Sequence, residues 1–263
     1  MDLGIAGKVA LVGASGHGLG LATAEQFAKE GCRVALCDLD EQSLKAARER
    51  IQATEPNAQI GAWRVDLTDS VDIAALIANV EKELGEIEIL VTNSGGPPPG
   101  QFEDATDERW VAGYELTFLS AVRLIRGVLP GMKERRWGRI VNFNSRTLRE
   151  PIANLMVSNA VRLAVAGMAK TLAAEVASYG ITVNNLGPGP TSTDRAIELA
   201  AARATRKGIS VEEELANTAA QIPRGRLATP EEQAAVAVFL ASEPAGHLTG
   251  ASLIVDGGQT RSL

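Results

Sequence analysis

Lys8-Val9-Ala10-Leu11-Val12 runs without a break into Gly13-Ala14-Ser15-Gly16-His17-Gly18-Leu19-Gly20. An apolar, partly β-branched run that meets a glycine-rich turn and then a helix-period segment predicts a strand at 8–12, a tight turn, and a helix at 19–30. Glycines in such a turn let backbone N–H groups and the helix N-terminus approach a pyrophosphate closely. A glycine turn alone is a weak signal, but one placed after the first strand and opening a helix is a strong one. Gly13, Ser15, Gly16, His17, Gly18 and Leu19 are therefore candidate pyrophosphate contacts. Asp38 closes the next strand, 18 residues after Gly20, where a carboxylate can accept hydrogen bonds from an adenosine ribose. Because that carboxylate would repel a 2′-phosphate, the sequence predicts NAD(H) in preference to NADP(H).

Working outward, short β-branched runs alternate with longer helix-period segments. Strands are expected at 33–37, 62–65, 87–92, 139–143 and 182–186, and helices at 41–53, 71–84, 108–129 and 157–179. Strands that are apolar on both faces and alternate with helices imply a parallel sheet covered on each side. Right-handed crossovers then select a doubly wound α/β arrangement, the Rossmann fold, as one domain over 1–263. Residues 193–221 interrupt this rhythm with a charged, Ala-rich, helical stretch, read as a lid over the carboxyl edge of the sheet. Thr229 and Pro230 are placed to cap and open a final helix at 230–242, and a last strand is expected at 253–255.

Composition narrows the class of function. The chain has 263 residues, 45% of them hydrophobic and 22% charged, as expected for a globular protein with a well-buried core. A net charge of −6 gives no overall basic footprint and argues against a nucleic-acid partner. Cys32 and Cys37 point to opposite faces at their spacing and are read as core residues, and no metal site is expected. No apolar run reaches the roughly 18 residues that span a bilayer, and the N-terminus lacks a signal-peptide pattern, so a cytoplasmic protein with no membrane partner is expected. Only two tyrosines, Tyr114 and Tyr179, are available to any chemistry that needs a phenol.

The motifs together resemble the short-chain dehydrogenase/reductase family over essentially the whole chain. Beyond 8–20, Asp66-Leu67-Thr68 is similar to its adenine-contacting turn, and Asn93-Ser94-Gly95 to its element after the fourth strand. Residues 184–193 resemble its Pro-Gly segment. The resemblance implies Pro188 and Gly189 beside the nicotinamide, with Thr191 or Thr193 on the phosphates. Residues 224–232 and Val255-Asp256-Gly257-Gly258 match its C-terminal signatures. Within the family the chain is most similar to bacterial 3-oxoacyl-carrier-protein reductases, which implies a homotetramer packed through two long central helices and the C-terminal strand. One departure lies in the glycine loop, where Ala14 takes the place of the first motif glycine. Gly13 and Gly16 are expected to supply the missing backbone freedom, and His17 to be a solvated loop residue.

The resemblance also implies a catalytic set: a Tyr acid, a Lys four residues later that lowers its pKa, a Ser that polarises the carbonyl, and an Asn that holds a water. Ser145 stands at the Ser position after Asn142-Phe143-Asn144. Thirteen residues on, Ser158 stands where Tyr belongs, and Arg162 stands where Lys belongs. Trp110 anchors the upstream helix and puts Thr117 at the Asn position. A serine hydroxyl is a poor acid near neutrality, and Arg cannot relay a proton. Arg162 can still hydrogen-bond the ribose and stabilise an oxyanion. Arg146, Arg149 and Arg195 near the cleft suggest a small-molecule substrate that is anionic or acyl-carrier linked, against the alternative of a solvated charged loop.

Three functions stay open at this point. The first is an NAD(P)-dependent oxidoreductase acting on a carbonyl or secondary alcohol, in the manner of a 3-oxoacyl reductase. The second is a catalytically degenerate relative that keeps the nucleotide site. The third is an enzyme like the halohydrin dehalogenases, which work without a nicotinamide; the glycine loop and Asp38 argue against it.

Overall fold

The computed structural model describes residues 1–262. Seven strands form one parallel sheet: β1 (Val9–Val12), β2 (Arg33–Asp38), β3 (Ile60–Arg64), β4 (Ile87–Thr92), β5 (Gly138–Phe143), β6 (Ile181–Pro188) and β7 (Ser252–Val255). Their order is β3-β2-β1-β4-β5-β6-β7. The chain reverses its direction of growth at β1, whose Leu11 is in register with Ala35 on one side and Leu90 on the other. In a doubly wound sheet the ligand crevice opens at this switch point, beyond the carboxyl ends of the strands.

Alternate residues of each strand feed two separate cores. On one face Val12, Leu36 and Val141 pack with Phe27 of α1 (Gly18–Lys29), Leu44 of α2 (Glu41–Thr54) and Leu240 of α9 (Pro230–Leu240). On the other, Leu11, Leu90 and Ile140 pack with Leu76 of α3 (Ser70–Glu83), Leu124 of α5 (Ser120–Arg135) and Ala173 of α6 (Met156–Val176). Cys32 lies just before β2 in the first core, and Cys37 lies within β2 in the second. Burial pushes both thiols up to about 12, which keeps them protonated and inert.

Two helical expectations are refined. The helix expected at 108–129 is α4 (Asp107–Tyr114) and α5, joined by a π-helical turn over Glu115–Leu119. That turn carries Thr117, and π turns inside helices recur at functional sites. The expected helical lid segment consists of two helices, α7 (Asp194–Lys207) and α8 (Val211–Ala220). The Glu214 carboxylate of α8, buried at 2% exposure, accepts from Arg203 Nε and Lys207 Nζ of α7, each at 2.7 Å. The Lys207 ammonium, and then the Arg203 guanidinium, hold this carboxyl below its ordinary value of 4.5. A lowered folded pKa contributes stability that is complete above the unfolded value and lost as pH falls through the folded one. Amide protection factors at residues 194–220, which allow for the slower intrinsic exchange in acid, should therefore fall once pH drops below about 4.5, ahead of those in the sheet. Glu214→Gln should show the faster exchange already at neutral pH. Equal acid sensitivity in lid and sheet would count against this role.

Thr229 and Pro230 cap α9 as expected, with Glu232 completing a capping box. No helix among the described residues is long and apolar enough to cross a membrane.

Candidate active site

The glycine loop is locked from three directions. Gly13 N–H donates to Val91 O, Ser15 N–H to Cys37 O, and Asn93 Nδ2 to the carbonyls of Gly13 and Ala14. A Cβ on Gly13 would overlap Asn93 O, one on Gly16 would crowd Ser43 Cβ and Asp38 Oδ2, and one on Gly20 would overlap Ala14 O. Gly13 and Gly16 thus serve close packing, while the left-handed turn is made by Ala14 itself, at φ +44°. An L-residue there costs about 1–2 kcal/mol, so Ala14→Gly should stabilise the protein by roughly 1 kcal/mol. Thermal denaturation reads this directly, and a lower melting temperature would contradict it.

The N-terminus of α1 suits an anion. His17 occupies its cap position without a capping bond, and its first turn has no acidic residue. By contrast α2, α3, α7, α8 and α9 are capped by Asp40, Asp69, Thr193, Ser210 and Thr229. First-turn N–H groups lacking a side-chain acceptor form the cradle that a phosphate fills. Gly18, at φ +57°, faces the Thr193 methyl at the root of the lid, so loop and lid flank one crevice. Thr191 is buried and its hydroxyl donates to Gly189 O, while Thr193 caps α7 through Ala196 N–H.

Not every expected contact is free to touch a ligand by its side chain. Ser15 is fully buried, with its hydroxyl donating to Val12 O and accepting from Cys37 N–H. Leu67 packs in the core, and Asp66 Oδ1 accepts from the Thr68 N–H and hydroxyl. His17 is exposed, as expected of a solvated loop residue, with Nδ1 3.9 Å from Asp38 Oδ2. Gly95 is exposed on the loop after β4, and Pro188 ends β6.

The remaining candidates gather at the end of β5. Arg162 on α6 donates from Nε to Ser158 Oγ at 3.1 Å, and from Nη1 to Phe143 O and Asn144 O at 3.3 and 2.9 Å. Asn144 Nδ2 returns a bond to Arg162 O. The guanidinium is therefore fixed immediately before Ser145, whose Oγ accepts from Thr147 N–H. Nη2 makes no hydrogen bond among the described residues. Burial, and secondarily the charge of Arg195, push the Arg162 pKa down to about 10. Behind Arg162 lies a cavity of about 10 Å³, enough for one water, lined by Thr117, Asn144 and Ser120 among others. Thr117 Oγ1 and Asn144 Oδ1 are buried there without protein partners.

Neither tyrosine reaches this cluster. Tyr114 stacks on Phe118 at 5.0 Å and lines an apolar depression on the outer face of α4 and α6. Tyr179 lies beneath Lys133 and Arg136, beyond the far end of α6. Of the rim arginines, Arg146 faces Glu150 at 3.7 Å, and Arg195 donates to Pro97 O at 2.9 Å and to Glu198 at 3.2 Å. Sequence reasoning passed over Asn144 and Gly96 as site residues. The run Asn142-Phe143-Asn144 at the end of a buried strand is the signal that could have found the first, and the Gly- and Pro-rich stretch 95–100 after the fourth strand is the signal for the second.

The sheet, its switch-point crevice and its glycine loop define a doubly wound α/β protein of the dinucleotide-binding class. The chain belongs to the short-chain dehydrogenase/reductase family: residues 13–260 match the family profile described as enoyl-(acyl carrier protein) reductase. It is similar to the 3-oxoacyl-[acyl-carrier-protein] reductase of Salmonella typhimurium, at 32% identity over 96% of this chain and 97% of the relative. Among solved structures, L-sorbose reductase from Gluconobacter frateurii, complexed with NADPH and L-sorbose, matches over 100% of both chains with TM-score 0.94 and 34% identity. An NADPH-bound short chain oxidoreductase from Pseudomonas aeruginosa PAO1, containing an atypical catalytic center, matches over 99% of both chains with TM-score 0.90 and 31% identity.

These neighbours overturn the expected preference for NAD(H), since both hold NADPH. The geometry of Asp38 is consistent with that correction. Its side chain is buried and turned inward, with Oδ2 accepting from Gly16 N–H at 2.9 Å and Oδ1 from the N–H groups of Leu39 and Asp40. These three backbone donors hold the carboxylate inward and partly offset its repulsion of a 2′-phosphate, while its charge remains.

Proposed function

We propose that this chain is an NADPH-dependent carbonyl reductase in which the Arg162 guanidinium, and not a phenol, stabilises the developing alkoxide. The observation that carries this reading is the fixation of Arg162 by Ser158, Phe143 and Asn144, with Nη2 left over. The glycine loop and the N-terminus of α1 would hold the pyrophosphate, with Thr191 and Thr193 alongside and Pro188 and Gly189 beside the nicotinamide. When bound, NADPH supplies the hydride. Ser145 and Arg162 Nη2 orient the substrate carbonyl and donate to its oxygen. A guanidinium with a pKa of about 10 stays charged at neutrality, so it works as a preorganised cation without passing on its proton. The proton comes from water, and Thr117 and Asn144 are the groups that seat one against Arg162. The Pseudomonas neighbour supports this reading, because it couples an atypical catalytic center with NADPH binding.

Residues 1–263 act as one cytoplasmic domain in this reading, and the protein is a homo-oligomer. The exposed Val111, Tyr114 and Leu163 on α4 and α6 would be covered by a second copy, most simply in a tetramer. Light scattering tests this, and a monomer at micromolar concentration would refute it.

The function is tested by titrating NADPH and NADH by fluorescence and then following hydride transfer to oxoacyl and sugar carbonyls. Tighter binding of NADPH with turnover is the expected result. NADPH binding with no turnover on any carbonyl, and no gain from Ser158→Tyr plus Arg162→Lys, would instead favour a non-catalytic nucleotide-binding relative.

A further inference from the structure

Two guanidiniums converge on one small stretch of the cleft wall. The point that a Cβ on Gly96 would occupy lies 3.6 Å from Arg162 Nη2 and 3.6 Å from Arg195 Nη2. Among the described residues no carboxylate pairs with Arg162, and the charge that acts on its pKa is the repulsive one of Arg195. Arg195 shares its charge with the exposed Glu198 and otherwise rests on the Gly96 and Pro97 carbonyls. Two like charges held together beside a residue with no side chain leave an electrostatic cost that an anion between them would offset.

Strand order places Arg162, fixed to the end of β5, away from the expected phosphates by the glycine loop, whereas Arg195 follows Thr193 by two residues and reaches from there to the Gly96 and Pro97 carbonyls on the rim after β4. We propose that Arg195, with Arg162, forms a subsite for a carboxylate that the substrate carries close to its reacting carbonyl, so that the substrate is a short oxo acid. This rests on the carbonyl-reductase reading above. In such a substrate the carboxylate and the developing alkoxide present two negative charges, which the two guanidiniums match. A neutral ketone would leave Arg195 with only the exposed Glu198 and the Gly96 and Pro97 carbonyls. Arg195 sits at the start of the lid, so binding the carboxylate would also tie the lid to the β4 rim.

The test uses the full chain saturated with NADP⁺, which cannot donate hydride, and calorimetric titration with acetoacetate and with its neutral ethyl ester. The expected result is at least a tenfold preference for acetoacetate, the ratio a charge-assisted pair supports. Arg195→Gln should bring the two affinities together, and Glu198→Gln should widen the gap two- to threefold by removing a competing carboxylate. Gly96→Asp supplies an internal carboxylate, so it should abolish acetoacetate binding while raising the melting temperature. Equal affinities in the wild type, no acetoacetate binding in the millimolar range, or a preference that survives both Arg195→Gln and Gly96→Asp would overturn the subsite. So would a loss of NADP⁺ affinity in Arg195→Gln with the acid preference intact, which would assign the arginine to the cofactor. Turnover of the ester with no preference for the acid would sink the subsite and leave the reductase standing. Anion-selective binding with no turnover on any carbonyl would do the reverse.

Discussion

Arg162→Gln is expected to lower kcat for carbonyl reduction about 10²–10³-fold, the usual cost of losing one preorganised donor to an oxyanion. The side chain has two jobs, and glutamine can do neither fully. It holds Ser158 Oγ and the carbonyls of Phe143 and Asn144, and it offers Nη2 to the cleft. Losing the first job orphans acceptors at the end of β5, at a cost of about 1–3 kcal/mol each where no water replaces the donor. A fall in kcat accompanied by a large drop in melting temperature would therefore be ambiguous by itself. Arg162→Lys separates the two effects: it keeps a cation but cannot span Ser158 and both carbonyls. Its kcat should lie between those of wild type and Arg162→Gln. If Arg162→Gln keeps full kcat, the guanidinium is a purely structural clamp.

Gly20→Ala should raise the dissociation constant for NADPH at least a hundredfold and lower the melting temperature by several degrees. The added Cβ would overlap Ala14 O, and Ala14 has little room to retreat because Asn93 Nδ2 holds that same carbonyl while Gly13 is pinned to Val91. Overpacking of this kind costs about 1–3 kcal/mol. It also displaces the turn that presents the first N–H groups of α1, so binding suffers more than folding. Gly167→Ala is the control. That glycine lies within α6 with nothing in its own chain inside 4 Å of the new Cβ, so the substitution should leave NADPH binding unchanged. A Gly20→Ala protein that binds NADPH normally would show that the loop is not the cradle.

Much of the fold was legible because its signals are local. Apolar runs such as Val9–Val12 and Ile87–Thr92 announce buried parallel strands, and Thr229 with Pro230 announces the start of a helix. The boundaries that shifted did so for tertiary reasons. No local pattern marks the π turn at Glu115–Leu119, which breaks the helix expected at 108–129. The division of the lid into α7 and α8 is stabilised by Glu214, a residue that composition alone would place in solvent. The cofactor expectation failed on orientation. Asp38 stands at the end of β2 as its position required, but its carboxylate turns toward Gly16, Leu39 and Asp40. The expected compensation by Gly13 and Gly16 likewise gave way to strain at Ala14 itself.

What the sequence determined by itself is the order of elements, the glycine loop and the absence of a phenol at position 158, because each depends on residues adjacent in the chain or on spacing along one helix. The two tyrosines could be counted, but only the folded chain placed Tyr114 on an outer face and Tyr179 beyond the far end of α6. The tertiary structure alone decided which way Asp38 points, what Arg162 holds, and that Arg162 and Arg195 meet at Gly96. Those three residues lie on segments far apart in sequence, and the parallel crossovers bring them to one edge of the sheet. No periodicity along the chain encodes such a meeting, because it is set by strand order and by where the start of α7 meets the loop after β4.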